Sequence, residues 1–285
     1  MISQEFDYSA PATLQDALDL LAAPGARALA GGMSLVPLMK LRLAAPEKLV
    51  DLRRIPSLRS IRREGSFLHI GAMVTHYEIE SAPLVVGDCP LLAATAAAIG
   101  DVQIRNAGTI GGSVAHADPA ADYPAALLAL EARVQLAGPS GERELPFEDF
   151  VIDTFTTVLE PGELVTAILV PVEESGTGVY YQKHPQPASG FPMVGVAARV
   201  RRSNGTISFA RVGVTGLTGK GYRARVVEER LMGSSGSDAE LVDAAAVVAD
   251  GVEASADIHA SAVYRTHLAC VATARALTAS LRAAS

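Results

Sequence analysis

Cysteine is scarce in this chain of 285 residues, which contains only Cys89 and Cys270. There is no Cys-x-x-Cys pair, so the chain's own cysteines can build neither a zinc site nor an iron–sulfur cluster. Two isolated cysteines of this kind are typical of reduced thiols. We therefore expect a cytoplasmic protein with no metal site of its own.

Tryptophan is absent and aromatic residues make up only 5% of the sequence, whereas hydrophobic residues make up 49%. We therefore expect a core that is mostly aliphatic and filled with alanine. No apolar run reaches the roughly 18 residues that a membrane-spanning helix needs, so no transmembrane segment is predicted. Residues 1–7 contain neither a basic segment nor an apolar stretch, and we expect no secretory signal.

Basic residues are fewer than acidic residues, 24 against 31, and the formal net charge is −7. This balance argues against nucleic acid or an anionic membrane as the main partner. One stretch is locally basic, and it is either a solvated surface or a site for a partner's acidic surface. Its arginines are Arg53, Arg54, Arg59, Arg62 and Arg63.

No complete catalytic or nucleotide-binding motif is found, and no catalytic residue is predicted. Residues 213–221 are glycine-rich, but Gly221 stands where a P-loop needs Ser or Thr, and Val214 where it needs its first glycine. We interpret this stretch as a loop that leaves a sheet. No Gly-x-Gly-x-x-Gly follows the first strands, so a Rossmann fold is unsupported.

A metal site at His116, Asp118 and Asp122 is a weaker interpretation of those residues. The two aspartates are one helical turn apart and could share a face. However, Asp118 is better explained as the N-cap of a helix, and no second histidine is close in sequence. Asp122, near the start of that helix, could instead accept a hydrogen bond from a ligand hydroxyl.

Two glycine pairs stand out among the features that are present. They lie in Leu29–Val36 and in Thr109–Ser113, each between an apolar run and a predicted helix, with a serine close behind. Glycine lets successive backbone N–H groups point the same way and lets the backbone approach a ligand. The pairs are therefore either two tight structural turns or two loops that hold a diphosphate at helix N-termini.

Capping signals and periodicity predict mixed α and β structure in the N-terminal part. Thr13 and Thr75 are predicted to cap helices, and Asp118 with Pro119 to begin another. Residues 101–108 are predicted to be extended. Strands are predicted over residues 2–8, 27–30, 48–52, 67–72, 133–137 and 163–170, and helices after residue 34 and over residues 91–99.

The composition turns polar and glycine-rich near residues 171–178. We place a domain boundary there, which gives domains over residues 1–175 and 176–285. In the second, Asn204-Gly205 predicts a two-residue hairpin. Its elements indicate an α+β domain of three antiparallel strands and three helices, with strands at 179–183, 194–201 and 207–214 and helices at about 222–232, 238–250 and 262–283.

Tyr181 and Lys183 are expected to lie on the same face of the first of these strands, because side chains alternate along a strand. The sequence leaves two interpretations of Lys183 open. It is either a surface lysine or a positive charge offered to an anionic ligand.

The motif Ala30-Gly31-Gly32-x-Ser34, followed by Thr109-Ile110-Gly111-Gly112-Ser113, resembles the FAD-binding medium subunit of molybdenum hydroxylases. These are the enzymes of the carbon monoxide dehydrogenase and xanthine dehydrogenase group. The stretches Gln103–Asn106 and Asp118–Asp122 support the resemblance, which covers nearly the whole chain.

The resemblance implies an α+β fold, with a two-subdomain FAD-binding domain of the vanillyl-alcohol oxidase type before the C-terminal domain. It also implies which residues bind FAD, two of them on weakly patterned strands. They are Leu29, Ala30, Gly31, Gly32, Met33, Ser34, Leu35, Val36, Ile99, Thr109, Ile110, Gly111, Gly112, Ser113, Asp122, Val165 and Lys183.

Partners are implied in the same way. A large subunit would carry the molybdenum cofactor and a small subunit two [2Fe-2S] clusters, in a dimer of heterotrimers. Electrons would pass from the clusters through FAD to an external acceptor. The alternatives are a stand-alone FAD-dependent oxidoreductase with its own substrate pocket and a non-catalytic assembly protein.

Overall fold

The computed structural model describes residues 2–284. Its strands form a three-stranded, a five-stranded and a four-stranded sheet, together with one two-stranded hairpin. Helices pack against each of the three larger sheets. The architecture is therefore α+β, as the sequence predicts.

The first unit alternates strands and helices: β1 (Asp7–Ser9), α1 (Leu14–Leu21), β2 (Ala26–Leu29), α2 (Leu35–Lys40) and β3 (Lys48–Asp51). The strands are parallel, in the order β1-β3-β2. Helix α1 begins where predicted, because the Thr13 hydroxyl accepts a hydrogen bond from the Asp16 N–H at 3.1 Å. The first glycine pair joins β2 to α2, and so lies at the carboxyl edge of the sheet, where open parallel sheets bind their ligands.

Two short 3-10 helices, Leu52–Arg54 and Pro56–Arg59, lead into the second unit. Its strands form an antiparallel sheet in the order β4-β5-β10-β6-β7. The core is aliphatic and rich in alanine, as expected. The elements are β4 (Ile61–Glu64), β5 (Phe67–Gly71), α3 (His76–Ser81), α4 (Pro83–Asp88), α5 (Pro90–Ala97), α6 (Val102–Ala107), α7 (Ile110–His116), α8 (Tyr123–Ala129), β6 (Arg133–Gly138), β7 (Gly141–Pro146), α9 (Phe147–Phe150), β8 (Val151–Asp153), β9 (Thr156–Thr157) and β10 (Leu164–Pro171).

Two local predictions in this unit are wrong, and they concern two aspartates. Residues 101–108 are not extended: the Asp101 carboxylate accepts a hydrogen bond from the Ile104 N–H at 2.9 Å and caps α6. Asp118 does not cap a helix. Its carboxylate accepts a hydrogen bond from the Ala120 N–H at 2.8 Å within a turn, and α8 begins only at Tyr123.

The third unit consists of β11 (Thr177–Pro185), β12 (Pro192–Ser203), β13 (Thr206–Thr215), β14 (Tyr222–Arg223), α10 (Arg225–Leu231), α11 (Asp238–Ala245) and α12 (Ala262–Ala283). The strands are antiparallel in chain order. Asn204 and Gly205 have φ values of 52° and 82°, which form the predicted two-residue hairpin turn. The short strand β14 is an addition to the three predicted strands, and it delays the start of α10 to Arg225.

The C-terminal sheet is packed between two helices that approach its backbone closely. A Cβ at Gly178 would lie 1.8 Å from the Ser280 carbonyl oxygen of α12, and a Cβ at Gly213 would lie 2.0 Å from the Ala125 carbonyl oxygen of α8. Only glycine permits these approaches. Because α8 belongs to the second unit by sequence but rests on the third sheet, it joins the two units, and Asp122 immediately precedes it.

A buried ion pair also joins these units. The Arg199 guanidinium donates two hydrogen bonds to the Glu173 carboxylate, both at 2.8 Å, and a third to the Ala129 carbonyl oxygen at 2.9 Å. The two side chains are only 7% and 8% exposed. Such a pair is costly to break from one side, because the remaining charge stays buried without its partner.

We expect Glu173→Gln to destabilise the chain by about 3 to 5 kcal/mol, since it leaves the Arg199 charge uncompensated. The midpoint of urea unfolding measures the change. Asp243→Asn is the matched control, because the Arg230–Asp243 pair is 48% and 62% exposed, and an exposed pair contributes about 0 to 1 kcal/mol. Equal effects of the two substitutions would contradict the structural role of the buried pair.

Among residues 2–284, no helix combines the length and the apolar character that crossing a membrane requires.

Candidate functional site

The two glycine pairs, far apart in sequence, lie against each other in space. A Cβ at Gly31 would lie 2.1 Å from the Ala107 carbonyl oxygen and 2.7 Å from the Gly108 Cα, just before the second pair. A Cβ at Gly112 would lie 3.4 Å from the Ala30 Cβ. The loops of the first and second units therefore form one continuous surface, and Gly31 is needed for their contact.

The backbone donors of the second loop are already engaged by the protein. The Ile110 N–H donates to the Val74 carbonyl oxygen at 3.1 Å, and the Gly111 N–H to the Ala72 carbonyl oxygen at 2.9 Å. The Gly112 N–H donates to the Thr109 hydroxyl at 3.1 Å. The interpretation of this loop as a row of free N–H donors at a helix N-terminus is therefore wrong. What it presents to a ligand is therefore its surface.

Gly111 is a glycine for a structural reason. A Cβ there would lie 2.4 Å from the Ala72 Cβ and 2.7 Å from the Ala72 carbonyl oxygen, at the end of β5. The close approach thus fastens the start of α7 to the five-stranded sheet. The sequence leaves two interpretations of each glycine pair open, a tight structural turn or a loop that holds a diphosphate. At Gly111 the structural interpretation applies.

The first loop differs from the second in its backbone N–H groups. Within the described residues 2–284, the N–H groups from Gly31 to Leu35 find no acceptor in the chain, and the first helical bond of the loop is from the Val36 N–H to the Gly32 carbonyl oxygen. Gly32 has a φ of 75°, which turns the backbone between β2 and α2. A run of backbone donors at a turn attracts an anion. The first loop therefore fits a diphosphate.

A buried group of side chains lies at the start of α8. The Tyr181 hydroxyl donates to Asp122 Oδ1 at 2.7 Å, and Lys183 Nζ donates to Oδ2 at 3.0 Å. Lys183 Nζ also donates to the Ala98 carbonyl oxygen at 2.8 Å. The predicted shared face of Tyr181 and Lys183 is confirmed, and of the two interpretations of Lys183 the surface lysine is wrong, since its side chain is 11% exposed.

Burial and the hydrogen-bonding partners have opposite effects on the pKa of Asp122. Burial raises the pKa of Asp122 to about 6, although Lys183 and the Tyr181 hydroxyl both act to lower it. At neutral pH the carboxyl group is therefore mostly ionised and paired with Lys183. A carboxylate has about four acceptor positions, so it retains capacity for a ligand donor.

Ile99 follows the same carbonyl group that holds Lys183. Its own carbonyl oxygen accepts a hydrogen bond from Arg105 Nη1 at 3.1 Å, and Arg105 Nε donates to Glu80 at 2.8 Å. Two cations thus meet the carboxyl end of α5, where the helix dipole favours positive charge. The sequence places Arg105 in a motif but assigns it no contact.

His76 links the second glycine loop to the Asp122 group, and the sequence does not single it out. Its Nδ1 lies 3.0 Å from the Tyr123 hydroxyl, and a Cβ at Gly108 would lie 2.6 Å from its Nε2. Burial, with Arg105 nearby, lowers the pKa of His76 to about 4, so the ring is neutral at neutral pH. Only the capping box of Thr75 and Glu78 beside it gives a sequence signal.

Val165 is a predicted site residue that belongs to the hydrophobic core. It is 5% exposed in the core of the second unit and lies at a bulge of β10. The next residue, Thr166, accepts a hydrogen bond from the Ala72 N–H at 2.9 Å. Through Thr166, Val165 thus adjoins Ala72, against which Gly111 packs.

Comparisons with known proteins agree with this geometry. A family model described as the FAD binding domain in molybdopterin dehydrogenase matches residues 4–173, and one described as the CO dehydrogenase flavoprotein C-terminal domain matches residues 179–280. The carbon monoxide dehydrogenase medium chain of Hydrogenophaga pseudoflava is 41% identical over 282 residues, with 98% of each chain covered. The 6-hydroxypseudooxynicotine dehydrogenase complex subunit alpha of Paenarthrobacter nicotinovorans is 36% identical, with 92% of this chain and 90% of that one covered.

A solved structure of carbon monoxide dehydrogenase from Hydrogenophaga pseudoflava has a TM-score of 0.97 to this chain at 40% identity, and it covers all of both chains. The fold and these matches define the class of the protein, which is a flavoprotein subunit of an oxidoreductase. The chain belongs to the family of FAD-binding medium subunits of molybdenum hydroxylases, the carbon monoxide dehydrogenase and xanthine dehydrogenase group. The predicted family, the fold class and FAD as this chain's cofactor are confirmed. The individual FAD contacts stay a prediction.

The raised pKa of Asp122 predicts a pH dependence of stability. A carboxyl group with a folded pKa of about 6 and an ordinary value of 3.8 binds more protons in the folded state between these values. Its stabilising contribution is therefore complete below pH 3.8 and is lost as the pH rises through about 6. We expect Asp122→Asn to flatten this part of the profile of urea midpoint against pH for the FAD-free chain.

The control for this experiment is Asp118→Asn, because Asp118 lies in the same segment but is only partly buried. Other carboxyl groups titrate in the same range, so the difference between each variant and the unmodified chain is the quantity to compare. A profile for Asp122→Asn parallel to that of the unmodified chain would contradict the buried position of Asp122.

Proposed function

We propose that this chain holds FAD between its two glycine loops and the Asp122–Lys183 pair, and relays electrons from a partner's [2Fe-2S] clusters to an external acceptor. The observation that carries the proposal is the run of N–H groups from Gly31 to Leu35, which have no acceptor within residues 2–284. Bound FAD would supply the redox chemistry, while the protein binds, orients and tunes it.

The proposed contacts with FAD are of two kinds, hydrogen bonds and charges on the one hand and surface contacts on the other. The first loop would bind the diphosphate through its N–H groups, and the second loop would line the cofactor with Gly112 and Ser113. Asp122 would accept a hydrogen bond from FAD, and Lys183 would keep that carboxylate ionised and add a positive charge. Ile99 and Val165 complete the proposed set.

The two family matches support a division into an FAD-binding domain over residues 1–175 and a C-terminal domain over residues 176–285. The names of the relatives support partner chains, since one is a medium chain and another a subunit of a complex. We propose a large subunit with the molybdenum cofactor and a small iron–sulfur subunit, assembled as a dimer of heterotrimers. The two free thiols, Cys89 and Cys270, support a cytoplasmic location.

The test of the proposed function is reconstitution followed by capture of partners. The full chain, refolded with FAD and desalted, should retain one FAD per chain and show a flavin absorption spectrum. A tagged chain from its native host should bring down chains that contain molybdenum and iron. A chain that never takes up FAD would refute the proposal, and substrate oxidation by the isolated chain would favour a stand-alone oxidoreductase.

Met33→Asp tests the first loop specifically. Met33 is 44% exposed, so the substitution leaves the core intact, but it adds a negative charge beside the free N–H groups. We expect FAD affinity to fall at least about tenfold, because like charges a few ångströms apart at a protein surface repel by more than 1 kcal/mol. Fluorescence titration of the chain with FAD gives the dissociation constant.

Met33→Asn is the matched control, because asparagine has nearly the same shape as aspartate but carries no charge. It should bind FAD within about twofold of the unmodified chain, as neutral surface substitutions usually change little. If the Asp and Asn variants bind FAD equally well, the diphosphate does not lie on the first loop.

A further inference from the structure

The segment between β5 and α3 runs antiparallel to the second glycine loop. The N–H of His76, the first residue of α3, donates a hydrogen bond to the Gly108 carbonyl oxygen at 3.0 Å, and Thr75 and Thr109 form a β-bridge. The two bonds from the N–H groups of the loop, described above, go to the same segment. The backbone at His76 and the second loop therefore form one unit.

The side chain of His76 leaves this segment and reaches a second element. Its Nδ1 and the Tyr123 hydroxyl oxygen are 3.0 Å apart and share a hydrogen bond. The two ring centroids are 5.3 Å apart, and the ring planes are inclined by 59°. Both side chains are buried, and within residues 2–284 the Tyr123 hydroxyl makes no other hydrogen bond. A buried hydroxyl without a partner is unfavourable, so this contact holds the two residues together.

Tyr123 follows Asp122 in the sequence, and the two side chains are held by different elements. Asp122 bonds to Tyr181 and Lys183 of β11, whereas Tyr123 bonds to His76 at the start of α3. The backbone between Asp122 and Tyr123 is therefore fixed from both sides. One continuous series of contacts joins the second glycine loop to the Asp122 carboxylate.

The imidazole ring of His76 lies directly against the backbone that enters the second loop. A Cβ at Gly108 would lie 2.6 Å from His76 Nε2 and 2.9 Å from His76 Cδ2. Glycine is required at position 108 because any side chain there would displace the ring. A shift of the loop towards His76 is therefore passed directly to the ring, and from the ring to Tyr123.

Apolar packing alone does not explain a hydrogen bond at this place. Tyr123 belongs to an apolar core cluster that includes Ile79 and Leu91. A hydrogen bond differs from apolar packing because its strength depends steeply on distance and angle. In surroundings of low polarity the bond is also stronger, and it specifies one arrangement. The bond between His76 and Tyr123 therefore fixes a separation that apolar contacts would leave adjustable.

We infer that the His76–Tyr123 hydrogen bond is a positioning contact for FAD, which sets the separation between the second glycine loop and the Asp122 carboxylate. The inference rests on the proposed function, in which the loop and Asp122 contact the same cofactor. A cofactor that meets both at once binds more tightly when their separation is set in advance, because less ordering is left to the binding step. His76 and Tyr123 act through the groups that they hold.

Tyr123→Phe tests the inference, because it removes the hydroxyl group and leaves the ring in the core. We expect the dissociation constant of the full chain for FAD to rise at least about fivefold, the lower end of ordinary coupling between two sites. Fluorescence titration with FAD measures the constant. Circular dichroism of the same sample shows that the variant is folded.

Tyr222→Phe is the matched control. The Tyr222 hydroxyl donates to the Val248 carbonyl oxygen at 2.7 Å, so this variant also loses one hydrogen bond of a tyrosine, but both partners belong to the C-terminal unit. It should bind FAD within about twofold of the unmodified chain, as substitutions away from a site usually do. An equal loss of affinity in Tyr123→Phe and Tyr222→Phe would reflect a general loss of stability and would overturn the inference.

A double-mutant cycle shows whether Tyr123 acts through Asp122. Asp122→Ala removes the carboxylate and should weaken FAD binding by itself. When Tyr123→Phe is added to Asp122→Ala, the dissociation constant should change by less than about twofold, because a positioning contact has no effect once the group that it positions is gone. A purely structural role of Tyr123 predicts the same loss with and without the carboxylate.

An unchanged dissociation constant in Tyr123→Phe, or equal losses in both backgrounds, overturns the inference and leaves the proposed FAD site intact. If Asp122→Ala binds FAD as well as the unmodified chain does, Asp122 is not an FAD contact, and the inference fails together with that part of the proposed function. A chain that takes up no FAD at all refutes both proposals at the earlier step.

Discussion

The arrangement of this protein depends on the burial of one carboxylate, that of Asp122, which is 4% exposed. A buried carboxylate is unfavourable unless it is paired and hydrogen-bonded, and here both partners come from β11. Lys183 also reaches the Ala98 carbonyl oxygen at the end of α5. One ion pair therefore fixes the C-terminal sheet against two helices of the second unit. Since α8 packs backbone to backbone on Gly213, the backbone that carries Asp122 is held against the C-terminal sheet.

The two glycine pairs share a sequence pattern but have different physical roles. In the second, Gly111 fits against Ala72, and the N–H groups are engaged by the protein, so the pair fastens α7 to the sheet. In the first, Gly31 lets the two loops touch, and the N–H groups up to Leu35 are left without acceptors in the described chain. The second pair builds the surface, and the first supplies the donors. A glycine motif indicates that the backbone approaches something closely, but only the structure shows whether that partner is a ligand or the protein itself.

Much of the local structure could be predicted because its causes are local. Thr13 and Thr75 cap helices through hydrogen bonds to residues three positions away, and Asn204-Gly205 turns a hairpin by its own φ values. Asp101 and Asp118 show where such reasoning ends. Both are residue types that can cap a helix, but Asp101 caps a helix in a stretch predicted to be extended, and Asp118, predicted to cap a helix, closes a turn instead. The burial of Lys183 depends on Asp122 and Ala98, which are 61 and 85 residues away, so no local pattern could decide it.

Helix α7 makes the geometry of the whole site rigid. Its first N–H groups are tied to the Val74 and Ala72 carbonyl oxygens, and its last turn is closed by Ala117 in the left-handed conformation, a position that glycine usually takes. The Ala117 carbonyl oxygen accepts a hydrogen bond from the N–H of Phe155, which also has a positive φ of 53°, so alanine at this position is a local departure from the favoured residue. Such departures concentrate at functional sites, where the surrounding structure keeps them in place. Because both ends of this short helix are fixed in this way, the helix itself sets the distance between the second glycine loop and the segment that leads to Asp122.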